Sequence, residues 1–145
     1  MKDHNGLNTN PETRWAQLYV LTGHWKADVE FYCEDLKFLH HMADKYLLWI
    51  TKSDNLEKAK NIEKDLFLLN RSCVTLLAKI RGHQNELAGL VDNPLVGGDA
   101  LAIQSHAELE KSLAMFVKRF RETRRQVFKI TEYILDSEEL PVTSA

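Results

Sequence analysis

The sequence predicts an all-α protein: an up-down-up antiparallel bundle of three long helices, over residues 11–52, 54–90 and 99–137, with coiled-coil-like packing. Three observations carry this. Apolar residues recur at alternating steps of three and four through three separate stretches, the period that keeps one side of a helix against its neighbours. The three prolines, Pro11, Pro94 and Pro141, leave residues 12–93 and 95–140 without the strongest helix breaker. The intervals between the stretches hold turn residues, few enough to make sequential helices antiparallel neighbours.

The first helix starts at Asn10-Pro11-Glu12, with Asn as N-cap, Pro at the first helical position and an acid in the first turn. Its apolar row runs Trp15, Leu18, Thr22, Trp25, Val29, Tyr32, Leu36, Leu39, Ala43, Tyr46, Ile50. After a short turn near Thr51–Ser53, Asp54 and Glu57 form a pair like a capping box. The second row then runs Ala59, Ile62, Leu66, Leu69, Cys73, Leu76, Ile80, His83, Leu87, Leu90. A longer loop, residues 89–98, contains Asp92-Asn93-Pro94 and Gly97-Gly98 and ends on Asp99 as the third N-cap. The third row is His106, Leu109, Leu113, Phe116, Phe120, Thr123, Val127, Ile130, Ile134.

Levels along the bundle follow from the turns. Setting Ile50 opposite Leu56 makes partners on the first two helices sum to 106, which puts Cys33 level with Cys73 and Trp15 with Val91. Across the second loop Leu90 is expected to face Leu101. One domain, residues 11–138, is expected at this length, flanked by a flexible segment 1–10 and a tail 139–145.

Composition narrows the function classes. Hydrophobic residues make up 44% and charged residues 28% of 145, which suits a globular core and excludes a disordered or membrane-spanning chain. A net charge of -2 argues against a protein that coats polyanions through bulk charge. Cys33 and Cys73 lie within apolar helical patterns and read as reduced thiols. With no apolar targeting stretch at the start and no run of about 20 apolar residues, a cytoplasmic location off the membrane is expected.

Local rules break at one level. Thr22, Gly23 and His24 of the first helix fall beside Gly82 and His83 of the second and His106 of the third. Two glycines inside helices at one height suggest close backbone approach. His83 and His106, with His24 and the nearby Glu86 or Glu108, are candidates for a metal or small-ligand site. The alternative is a hydrogen-bonded polar layer of the two imidazoles and Thr22 that fixes register. No Glu-x-x-His or His-Glu-x-x-His pattern occurs, which removes the di-iron bundle and zinc-protease patterns. His40, His41, Glu34 and Asp44 read as a solvated face.

Two further features remain. The third helix carries Lys118, Arg119, Arg121, Arg124, Arg125 and Lys129, opposed locally by Glu122. Such a run can grip phosphates, but its level sets it beside Asp28, Glu30, Glu34, Asp35, Glu63 and Asp65, so interhelical ion pairs are expected and a nucleic-acid partner is not. The first helix carries a second apolar row, Leu21, Phe31, Phe38, Met42 and Trp49, interleaved with Asp28 and Asp35. Aromatic rows beyond what a core needs mark association surfaces.

The stretch Trp15 to Tyr46, with Trp25, Glu30-Phe31-Tyr32 and Asp35-Leu36-Lys37-Phe38-Leu39, resembles the first helix of small three-helix proteins of flavobacteria and their relatives, a family with no assigned activity. The resemblance implies the three-helix fold and transfers no functional residue. The shape is also similar to a stretched spectrin-type repeat, by analogy of fold alone. No nucleophile, base and orienting group assemble from these rows, so a non-enzymatic interaction or scaffold protein is expected, without cofactor, paired with itself or with another helical protein.

Overall fold

The computed structural model describes residues 10–50, 53–94 and 99–137. They form three helices, α1 (Pro11–Leu47), α2 (Ser53–Asp92) and α3 (Asp99–Ser137), packed against one another in a bundle with no strand among the described residues. The expected N-terminal segment 1–9, residues 51–52, residues 95–98 and the tail from 138 lie outside the described residues.

The start of α1 is the predicted one: the Arg14 N–H donates to the Asn10 carbonyl at 2.9 Å, closing the first helical turn on the N-cap. Its end is five residues earlier than expected. There the backbone tightens, with the Trp49 N–H on the Tyr46 carbonyl at 3.1 Å and the Ile50 N–H on the Leu47 carbonyl at 3.4 Å. Bonds to the third residue back satisfy the last carbonyls and stop the helix. α2 runs two residues past Leu90, to Asp92, because the Asn93 N–H still reaches the Gly89 carbonyl at 3.0 Å. Pro94 has no N–H with which to continue.

The chain divides into two compact units. In the first, Met1–Phe31 with Cys73–Met115, the loop end of the core is a cluster of Trp15, Leu18, Leu87, Leu90 and Ala102. Ala102 takes the inward place expected for Leu101, which is 68% exposed. The helix enters one residue out of the assumed phase, and a small side chain lets α3 approach the Trp15 ring.

In the second unit, Tyr32–Ser72 with Phe116–Ala145, the core is built from Leu36, Leu39, Ile62, Leu66, Val127 and Ile130. The Tyr32 ring meets Phe116 edge-on at 5.9 Å and Phe120 at 4.8 Å between centroids. Such pairs add to plain area burial because ring edges and faces carry opposite partial charge. Thr131 is buried, and its hydroxyl is satisfied within the helix by donating to the Val127 carbonyl at 2.8 Å.

Neither cysteine is a reduced thiol. Cys33 and Cys73 are both disulfide-bonded, which corrects the sequence expectation. Cys73 Sγ lies 3.7 Å from the Val29 carbonyl oxygen but, as a half-cystine, has no proton to donate to it. No described helix is long and apolar enough to cross a membrane.

Candidate functional site

Within the first unit, α2 and α3 bring His83 and His106 together on their inward rows. The positions flanking each histidine on its row, Ile80 and Leu87 on α2 and Leu109 on α3, are apolar and buried, so both imidazoles are carried into the core by the helical period rather than by a loop. His83 Nε2 and His106 Nδ1 are 3.0 Å apart, close enough that one ring donates and the other accepts. The indole of Trp25, from α1, stacks on the His106 ring at 4.4 Å and 23°. Trp25 is the residue the sequence reading placed in the core without assigning it to this layer.

Burial makes both rings poor bases. His106 is pushed down to about 4, chiefly because a charged ring would lose its hydration there, and secondly by repulsion from His83. His83 is lowered for the same first reason, against the pull of the nearby Glu86 carboxylate. The pair is therefore neutral at pH 7, with a single proton between facing nitrogens. His83 Nδ1 is buried with no hydrogen-bond partner. A groove of about 330 Å³ runs alongside, lined by His83 with Lys79, Glu86, Ser105, Glu108 and Ser112.

Several sequence candidates stand elsewhere. His24 is exposed on α1 and does not join the imidazole pair. Thr22 is fully buried, yet its hydroxyl donates to the Leu18 carbonyl at 2.7 Å, so the polar layer is the two histidines without Thr22. Helical backbone offers a serviceable acceptor one turn back, and the short side chain reaches it more easily than a ring on another helix. Among the described residues no three His, Cys, Asp or Glu side chains gather to hold a metal ion.

The glycines differ from one another. A Cβ at Gly23 would sit 3.3 Å from the Gln84 amide nitrogen, whereas one at Gly82 would meet nothing within 4 Å. Gly23 is therefore approached by the end of the Gln84 side chain and not by backbone, and the close backbone approach expected at this level is corrected at both glycines. Gly82→Ala is expected to raise the unfolding free energy by about 0.5–1 kcal/mol, because Ala restricts the unfolded backbone and costs nothing sterically in the helix. Urea denaturation checks this, and a destabilised variant would show that the open side of residue 82 is needed.

The basic run of α3 is exposed along its length. Of the expected ladder of interhelical ion pairs, the described residues hold one: Arg124 Nε to Asp35 at 3.8 Å. Arg125 pairs within its own helix, with Glu122 at 3.1 Å, and Arg124 also covers the Phe128 ring at 4.7 Å. Lys118, Arg121 and Lys129 make no ion pair with a described carboxylate. Long cations at a bundle flank gain little by pairing across water, and a position one turn back on the same helix is reached with less loss of side-chain freedom.

On the outer side of α1, Phe31 is 65% and Phe38 is 55% exposed. Leu21 and Trp49 are exposed as well, and Met42 is half-buried. Comparison with known families, curated proteins and solved structures finds no match.

Proposed function

We propose that the protein is a non-enzymatic interaction module, a helical bundle that pairs with a second copy of itself through the outer face of α1. The observation that carries this reading is the exposure of Phe31 and Phe38 on a helix that already buries most of an inner row of its own. A partner surface would recover part of the roughly 1.5–3 kcal/mol that full burial of a large apolar side chain contributes. Their seven-residue separation is two turns, so both point to one side of α1. A two-fold antiparallel pairing would set each Phe31 against the partner's Phe38, a self-complementary contact of the kind symmetric dimers use.

Light scattering at two protein concentrations tests it. A dimer mass is expected, and Phe31→Ser with Phe38→Ser is expected to lower it to that of the monomer with helicity unchanged. Monomer mass in the unsubstituted protein, or no change in the double variant, overturns the reading.

The compartment follows the disulfide. A bond between cysteines persists where glutathione and thioredoxin do not reduce it, so we read the protein as one of an oxidising compartment, in place of the cytoplasmic location that reduced thiols had suggested.

A further inference from the structure

Within the second unit α2 and α3 leave an open groove of about 710 Å³ that neither the histidine layer nor the α1 face includes. Its apolar lining is Ile62 and Ile130, both nearly buried, with the half-exposed ring of Tyr133. Around these stand Lys58, Lys64 and Lys129, against a single carboxylate, Asp65. None of the three lysines makes an ion pair with a described carboxylate, although the chain as a whole carries more acids than bases. The Lys58 ammonium is instead held 4.4 Å over the Tyr133 ring, bridging α2 to α3 at one end of the groove. Local charge is thus positive by two where the protein's net charge is -2.

Gathering like charges beside the exposed Tyr133 ring, over the little of Ile62 and Ile130 that reaches the surface, costs free energy in repulsion and in hydration, which an anionic and apolar occupant would offset. We propose that this groove binds a free single-chain anionic amphiphile. Its tail lies on Ile62, Ile130 and Tyr133, and its head group is held among the lysine ammonium groups. The volume is of the size that small-molecule sites use, and the combination of an apolar lining with a few charged groups fixes the ligand's direction in the groove. A lysine rim acts as a set of point charges and so accepts a carboxylate or a phosphate head alike.

Calorimetric titration of the full chain with decanoate, below its micelle-forming concentration, tests this. One site per chain is expected. Acetate, which has the head without the tail, and decyltrimethylammonium, which has the tail with the opposite charge, are each expected to bind at least roughly tenfold more weakly. Lys58→Glu with Lys129→Glu, both exposed positions, is expected to weaken decanoate by roughly tenfold or more while helicity is retained. Equal binding of acetate, equal binding of the cationic amphiphile, or no effect of the double charge reversal would each overturn the proposal. So would binding to phosphatidylglycerol vesicles without binding to decanoate, which would make the basic face a membrane contact.

Discussion

Reducing the disulfide is expected to lower the unfolding free energy by about 4 kcal/mol, on the chain-entropy account of a closed loop spanning residues 33 to 73. The sequence holds two cysteines, and the structure leaves neither free, so one bond closes that loop. A long loop gives a large effect because the cross-link removes more of the freedom an unfolded chain would regain. Set against a total stability of roughly 5–15 kcal/mol for a domain of this size, the loss is a substantial fraction. Urea denaturation with and without reductant measures it, and Cys33→Ala with Cys73→Ala is expected to reproduce the reduced protein. Thiol titration in denaturant gives a separate check: no reactive thiol before reduction and two after. Two thiols before reduction, or equal midpoints in both conditions, would sink the expectation.

The same residues show what periodicity can and cannot report. The inward rows of α1 and α2 were legible: every described buried residue of α1 lies on the predicted row, and every predicted position of α2 from Ala59 to Leu90 is buried, whereas on α3 Leu113 is half-buried and Thr131 is buried off the row. Asn55, fully buried, extends the α2 row one turn toward the N-terminus, a position that its polar side chain hid among the capping residues. Spacing determines which side of a helix is apolar, because the 3.6-residue turn is fixed by backbone geometry. It also placed Cys33 level with Cys73. It is silent on oxidation state, because a half-cystine and a small apolar thiol fit the same packed position.

Helix ends were less legible for a related reason. Ending α1 at Leu47 rather than at residue 52 depends on a local competition between two carbonyl acceptors one residue apart, and no residue there is a strong breaker. Ala102 in place of Leu101 is a phase error of one residue at the start of α3, where the preceding turn sets the rotation of the helix. The site behaved likewise. His83 and His106 were found from their place on apolar rows, but the Trp25 stack and the turning of Thr22 to its own backbone depend on side-chain torsions that spacing does not encode.

The histidine pair should make the protein acid-sensitive between pH 6.5 and 4. His106 has an ordinary value of 6.5 when unfolded and is held near 4 when folded, so over that window the unfolded chain binds more protons than the native one. Stability is therefore fully present above pH 6.5 and is lost as the pH falls toward 4. His106 alone carries a loss on the order of 3 kcal/mol, and His83, shifted in the same direction, adds to it. The first proton taken up can be shared between His83 Nε2 and His106 Nδ1. A second leaves two charged donors facing each other across 3.0 Å, so the two titrate as a unit. His106→Gln keeps a hydrogen-bonding group beside His83 and under Trp25 but removes one proton site. Its unfolding free energy is expected to fall by clearly less between pH 7 and pH 4.5 than that of the unsubstituted protein. Proton resonances of the imidazoles, followed through the same range, locate the transitions directly. An imidazole at His106 titrating near 6.5 in the folded protein would refute the account, because burial without a charge partner must oppose the charged ring.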